Sequence, residues 1–224
     1  MATRGRPRQF DRAVALRRAM EVFWRHGYEG TAISDLTAAM RVNAPSLYAA
    51  FGCKEALFRE AVSLFAESEG EATNRALSME RTARESVEAM LRLRADAYTA
   101  PDTPRGCMIV LSAVACTQEN ERVRRYCADH RRSVQEAIHA RLRRAMIDGD
   151  LPAATDASAL AAFYTTVLQG LSIQARDGAA RARLHAIVDC AMAAWGMRVR
   201  PHAQSRQPRE FKRSRKKPRN LARR

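Results

Sequence analysis

Residues 41–58 read RVNAPSLYAAFGCKEALF. Ala49 and Ala50 stand between Tyr48 and Phe51, Gly52 ends the run, and Cys53-Lys54-Glu55 opens a second apolar stretch. Asn43 is a good helix N-cap, and Pro45 falls in the first turn, where a missing N–H costs little. Leu47 and Phe51 stand four residues apart, on one face of the helix that this start and the stop at Gly52 define. A plain core helix rarely needs a proline at its start, a tyrosine one turn in and a glycine just behind.

The residues upstream supply the context. Asp11 caps a first helix running to His26, with Leu16, Ala19, Met20 and Phe23 as its apolar face and Gly27 as its stop. Thr31 is expected to cap a short helix carrying Ile33, Leu36, Ala39 and Met40. Arg41-Val42 then makes a tight turn into the quoted segment. A short helix, a tight turn and a second short helix, packed on a longer first one, is the helix-turn-helix arrangement. In that arrangement the N-terminal residues of the second short helix meet base edges in the major groove. Leu47 and Phe51 then face inward against Phe23, Ile33 and Leu36. Asn43, Ala44, Pro45, Ser46, Tyr48 and Ala49 face outward and are small or hydrogen-bonding. The alanines suit thymine methyls, Asn43 and Ser46 suit base edges or phosphate, and the Tyr48 hydroxyl suits a phosphate. Lys54 adds a charge at the start of the next helix, and Thr31 is expected to serve the backbone from the other side.

Gly27-Tyr28-Glu29-Gly30-Thr31, Asp35-Leu36, Val42 through Gly52 and Lys54-Glu55-Ala56-Leu57-Phe58 together resemble the TetR/AcrR family of bacterial transcriptional regulators. The resemblance covers residues 10–60, about a quarter of the chain. It implies a homodimeric repressor whose last two long helices form a four-helix interface, with a small molecule in the C-terminal domain controlling DNA affinity. Two positions depart from the family pattern. Arg41 stands where a turn glycine is usual, and if that turn needs φ > 0, a side chain there costs about 1–2 kcal/mol. An arginine there could recover part of this by contacting phosphate. Cys53 stands where a capping serine is frequent, a loss on the order of 1 kcal/mol.

Beyond residue 60 the chain continues as helix, with no period-2 alternation. Helices are expected over about 83–99, 106–116, 120–148, 156–176 and 179–196. The 106–116 segment is apolar on all sides and reads as buried by its neighbours. The expected fold is all-α: a basic arm over 1–10, a three-helix DNA-binding domain over 11–60, a helical effector-binding and dimerisation domain over 61–197, and a disordered basic tail over 198–224.

Charge is distributed to match. Residues 61–197 hold seventeen Lys/Arg and seventeen Asp/Glu, whereas residues 198–224 hold twelve Lys/Arg against one Glu. The tail reads either as a non-specific nucleic-acid contact or as a solvated segment. Arg4-Gly5-Arg6-Pro7 is similar to the core of AT-hook peptides, so Arg4 and Arg6 are candidates for a narrow minor groove, with a plain solvated arm as the other reading.

The histidines are scattered, and no nucleophile–base set or phosphate loop accompanies them, so no enzyme and no cofactor are expected. No secretory h-region opens the chain, and the longest apolar run, Met108–Cys116, is too short for a bilayer, so a cytoplasmic protein is expected. The five cysteines, an odd number, include no CxxC. Cys127-x-x-His130 is a weak metal pair; core packing is the competing reading, and no metal is assigned. A thiol- or metal-responsive regulator of the same fold, acting through Cys107, Cys116 or Cys127, is the alternative function. Phe65, Met90, Tyr98, Met108, Phe163, Tyr164 and Gln169 are candidates for an effector pocket, with ordinary core as the competing reading. Leu160, Phe163, Val167, Leu171, Leu184, Ile187, Met192 and Trp195 are candidates for a dimer interface, although a monomer core would give the same pattern.

Overall fold

The computed structural model describes residues 10–198. Arg4 and Arg6 in the basic arm, and the tail from residue 199 onward, lie outside the described residues. The elements run α1 (Arg12–His26), α2 (Ile33–Met40), α3 (Ala44–Phe51), α4 (Lys54–Met79), α5 (Ala83–Tyr98), α6 (Met108–Leu111), a 3-10 turn at Gln118–Asn120, α7 (Glu121–Ile147), α8 (Ala157–Arg176), α9 (Arg181–Ala193) and a closing turn α10 (Trp195–Arg198). The fold is all-α, with no strand among the described residues.

The first helix starts and stops on local chemistry. The Asp11 carboxylate accepts from the backbone N–H groups of Ala13 and Val14, and the Gly27 N–H donates to the Phe23 carbonyl at 2.8 Å. Ala15, Ala19 and Phe23 form the deep stripe, while Leu16 and Met20 flank it. Phe23 is fully buried, with the Phe58 ring edge-on at 5.0 Å, and Leu36, Leu47 and Leu57 complete the centre. Each such side chain contributes roughly 1.5–3 kcal/mol of burial. Two eight-residue helices, too short to persist alone in water, are thereby held in place.

The first hydrophobic cluster does not end where α3 ends. Met108, Ile109, Ala113, Val123 and Cys127 belong to it, so α6 and the first turns of α7 close its lower side. α4, 26 residues long, runs unbroken past residue 60 into the second cluster at Leu77. That second cluster is built by α5, α7, α8 and α9 around Met90, Leu91, Ile138, Leu142, Tyr164 and Leu171.

One expected element is shorter than its hydrophobicity implies. The apolar run over 106–116 gives a helix of only four residues, Met108–Leu111, and Val114 beyond it is 66% exposed. The polar groups of Ser112 explain the stop. Its carbonyl accepts from the Tyr28 N–H at 2.9 Å, and its hydroxyl donates to the Phe23 carbonyl at 3.2 Å. The segment is tied to α1 rather than continuing its own ladder. Arg198 closes α10 rather than opening the tail.

Candidate nucleic-acid interface and interior cavity

α3 presents two faces. Leu47 and Phe51 are buried at 0% and 4% exposure, whereas Tyr48 is 46% exposed. Arg41, Asn43, Pro45 and Ala49 are exposed with Tyr48, and Ala44 and Ser46 are half-buried beside them. The helix start is fixed by Asn43, whose Oδ1 accepts from the Ser46 N–H at 2.9 Å. That bond occupies the side-chain oxygen and leaves the amide NH2 as the donor Asn43 can offer outward.

Arg41 adopts φ 57°, ψ 45° at the end of α2, the one non-glycine with positive φ among the described residues. The turn therefore places Arg41 in the left-handed conformation, exposed two residues before the N-cap of α3. Cys53 does cap α4, its Sγ accepting from the Ala56 N–H at 3.4 Å.

Two expected contacts are placed differently. Thr31 is 1% exposed, and its hydroxyl donates to the Gly27 carbonyl at 2.6 Å. It closes the α1–α2 loop from inside and its hydroxyl is not on the outer face. The cap of α2 is Ala32, and the Asp35 carboxylate supplies the bond by accepting from the Ala32 N–H at 2.9 Å. Lys54 is half-buried, its Nζ 4.4 Å from the centre of the Tyr28 ring. Burial holds the Lys54 pKa below its ordinary value, although Glu29 and Asp35 act against that. Its charge sits under the interface, held by the tyrosine, rather than extended from it.

The interior between α4, α5, α6, α7 and α8 holds a cavity of about 300 Å³. Phe65, Tyr98 and Gln169, three of the seven pocket candidates, line it. The other four pocket candidates do not. Met108 is fully buried in the first cluster and Met90 in the second. Tyr164 is packed between Phe163 and Trp195 and donates its hydroxyl to the Ala191 carbonyl at 3.2 Å, and Phe163 covers it from outside. Packing within the first cluster for Met108, and within the second for Met90, Phe163 and Tyr164, gives each of these four other neighbours than the cavity.

The polar part of the wall was not anticipated. Arg94, 6% exposed, donates through Nε to the Thr73 hydroxyl at 3.0 Å. Arg131 donates to the Ile109 carbonyl at 2.9 Å, and Cys107, His130 and Thr165 also line the space. An arginine one turn before Tyr98 on an otherwise apolar helix face was the signal available in the sequence. Burial pushes the Cys107 thiol up, as it does Cys116, and takes Cys127 up to about 12. Protonated thiols are weak nucleophiles and weak metal ligands. Among the described residues, no three His, Cys, Asp or Glu side chains converge as a metal site.

The cavity wall and the DNA-facing unit share one short segment. Cys107, Ile109 and Val110 face the cavity. The Gly106 carbonyl accepts from the Trp24 indole N–H at 3.1 Å, and Ser112 holds Phe23 and Tyr28 as described. The Cys107 N–H in turn donates to the Ser172 hydroxyl of α8 at 2.8 Å. From the end of α8, Arg176 donates to the carbonyls of Trp24 and Arg25 at 2.7 and 2.9 Å. These are open carbonyls of the last turn of α1, so α8 caps α1 directly.

The expected interface residues of α8 and α9 belong mostly to this chain's own core. Leu160, Leu171, Leu184, Met192 and Trp195 are buried in the second cluster, because α8 packs on α5 and α7 while α9 packs on α5. Phe163, Val167 and Ile187 are partly buried against it. The outward faces carry other residues: Thr166 and Ile173 along α8, with Gly170 half-buried beside them, and Arg183, Ala186, Asp189, Cys190 and Ala193 along α9. Ile173 is 48% exposed.

A trihelical unit with a slim, half-exposed α3, bonded to a helical unit that holds a cavity, defines a helix-turn-helix DNA-binding protein. Residues 15–61 match the model of the bacterial regulatory proteins of the tetR family, and residues 83–188 match that of the tetracyclin repressor-like C-terminal domain. The chain is 32% identical to the HTH-type transcriptional repressor ComR of Escherichia coli K12, over 86% of this chain and 92% of ComR. It is 31% identical to YezE of Bacillus subtilis 168, an HTH-type transcriptional regulator, over 84% of this chain and 97% of that one. Among solved structures, a cysteine-substituted form of the TetR family regulator CifR bound to a 26-base-pair double-strand operator superposes with a TM-score of 0.83. It is 47% identical, covering 85% of this chain and all of CifR. The chain belongs to the tetR family and is a DNA-binding transcriptional regulator. No helix among the described residues is long and apolar enough to cross a membrane.

Proposed function

We propose that the protein is a homodimeric repressor whose α3 enters the major groove of a near-palindromic operator and which a small molecule in the interior cavity releases. The observation that carries the reading is the division of α3. Leu47 and Phe51 lock one face in the core, while Tyr48, Ala49 and the Asn43–Ser46 start are offered on the other. Small side chains let the helix approach the groove floor, Ala44 and Ala49 meet thymine methyls, and Asn43 and Ser46 meet base edges or backbone. Tyr48 and Arg41 hold phosphates and set the register. The loop carbonyl and hydroxyl groups that hold α1 make α6 the transmitter. A ligand that moves Cys107, Ile109 or Val110 also moves the groups bound to Trp24, Phe23 and Tyr28.

A second copy completes the molecule. The outward faces of α8 and α9 carry Thr166, Ile173, Ala186, Cys190 and Ala193, small or apolar, with Gly170 half-buried beside them and Arg183 and Asp189 exposed on α9. Two such helix pairs packed across a two-fold axis would bury this surface and set two α3 helices against successive half-sites.

The test is selection of bound fragments from genomic DNA, followed by titration of the selected duplex and a scrambled one at a fixed salt concentration. Affinity for the selected sequence at least about 10³-fold above the scrambled one supports the reading. Equal affinity for both would make the chain a sequence-indifferent binder driven by its basic ends.

A further inference from the structure

The charged groups on the cavity wall are of one sign, and what this implies for a ligand rests on the reading of the cavity as the effector site. Phe65, Ile109, Val110, Val134 and Leu168 give most of the wall an apolar character. Arg94 and Arg131 also line it, and no Asp or Glu stands among the described lining residues. The space reaches the surface between α4 and α7, where the exposed residues Asn74 and Ser133 border it.

Arg131 stands half-buried on α7. Its guanidinium carries a permanent charge and a planar fork of N–H donors. One donor, on Nη1, reaches the Ile109 carbonyl at 2.9 Å, and that acceptor is neutral. Among the described residues, no carboxylate pairs with Arg131 and no further acceptor takes its remaining donors. Asp129, near it in sequence, is engaged by Arg132 instead. The positive charge is felt inside the wall. Arg131 opposes the burial that raises the Cys127 thiol, and Arg94 opposes the burial that raises Cys107. Burial lowers the pKa of His130 from its ordinary value, so near neutral pH the positive charge on the wall belongs to the arginines.

We propose that the effector is an organic anion, an apolar body bearing a carboxylate, with the carboxylate paired to Arg131 and the apolar part against Phe65, Val134 and Leu168. A guanidinium presents two parallel N–H groups that match the two oxygens of a carboxylate, and such charge-assisted pairs are the strong ones. A half-buried charge without a counter-ion has lost hydration with no compensating partner, and an anion supplies that partner. A neutral ligand leaves the charge uncancelled, and a cation is repelled by it. The wall selects the head group, while the opening between α4 and α7 leaves the length of the apolar body unrestricted. The same guanidinium holds α6 through Ile109. An anion that takes it shares or displaces that bond, and so acts on the segment bonded to Trp24, Phe23 and Tyr28.

Benzoate and hexanoate, each beside its neutral amide, benzamide and hexanamide, are probes that differ in charge at nearly constant shape. Calorimetric titration of each into the full-length protein at one ionic strength, with and without operator DNA, reads affinity and effect together. Each acid is expected to bind at least about tenfold more tightly than its amide. Arg131→Gln removes the charge while keeping a side-chain N–H, and is expected to erase the advantage of the acids with the melting temperature little changed. Arg131→Lys keeps the charge without the fork and is expected to retain part of that advantage. Anions held by the basic tail are indifferent to both substitutions, which separates that background from the cavity. Amides binding as tightly as the acids, an acid advantage that survives Arg131→Gln, or no binding of either acid at millimolar concentration would each overturn the proposed ligand class. An amide that binds and shifts operator affinity would overturn the ligand class and leave the cavity's role standing. An acid that binds through Arg131 and leaves operator affinity unaltered would instead overturn the cavity's role as effector site.

Discussion

At the scale of single residues, the chain carries its compromises in the helix-turn-helix turn. Arg41 holds a backbone conformation that favours glycine, and its exposed guanidinium stands beside the start of α3. Relief of strain and loss of a phosphate contact should therefore separate in one variant. Arg41→Gly is expected to raise stability in urea by about 0.5–1 kcal/mol, the strain gain being partly offset by glycine's backbone entropy. The same change is expected to weaken operator binding and to lower the slope of log K against log salt by about one. Arg41 was readable from the sequence because turn geometry is local. Thr31 was not, because a threonine before a helix can either cap it or bond back to a carbonyl, and only the packed loop decides. Here the Gly27 carbonyl, one turn back, takes the hydroxyl. The neighbouring Asp35, four residues on, then does the capping.

At the scale of elements, α6 and the end of α8 bind the cavity to α1. Gly106 has φ 80°, and a Cβ there would lie 2.7 Å from the Ser172 carbonyl and from Leu111 Cδ1. Gly106→Ala is expected to cost about 2–4 kcal/mol, combining left-handed strain with overpacking against backbone, as measured by chemical denaturation. Arg176→Ala removes the two bonds from α8 to the last turn of α1 without disturbing α3. It is expected to leave operator binding within a few-fold of wild type and to reduce the change in affinity that the effector produces. Equal effector response in the variant and the wild type would remove Arg176 from the coupling route. The long helices were legible from periodicity and caps, α5 and α7 to within a residue or two. The length of α6 was not, since hydrophobicity reports burial and says nothing of the cross-chain bonds made by Ser112. The cavity wall was legible in part. Phe65, Tyr98 and Gln169 line it, whereas Met90, Met108, Phe163 and Tyr164 pack elsewhere. Being apolar and inward-facing does not distinguish a filled space from an empty one.

At the scale of the whole molecule, the core absorbs most of the apolar surface that α8 and α9 carry. Leu160, Leu171, Leu184, Met192 and Trp195 satisfy each other and α5 within one chain. The surface left for a second copy is the opposite face, which the sequence pattern alone does not separate from the core face because both helices are apolar around much of their circumference. Ile173→Glu places a charge on the exposed part of that surface on α8. It is expected to convert the dimer to monomer in sedimentation equilibrium without loss of helical signal, and to weaken operator binding by at least tenfold as the two half-sites lose their linkage. A dimer that persists in this variant would move the interface elsewhere. The balance of charge works at the same scale. Residues 61–197 are neutral overall and residues 198–224 carry a large excess of Lys/Arg. On the proposed function, attraction to DNA comes from the charged ends and sequence reading from α3.

That separation makes one measurement decisive. Tyr48→Ala removes an exposed side chain from the outer face of α3 and leaves Leu47 and Phe51 in place. Fluorescence anisotropy against the selected operator and a scrambled duplex, with circular dichroism on the same samples, reads both binding modes at once. The expected result is operator affinity down roughly tenfold, the value of one charge-assisted hydrogen bond, with scrambled-duplex affinity changed far less and melting unchanged. Undiminished operator affinity in a folded Tyr48→Ala protein would contradict the assignment of α3 as the element that reads DNA.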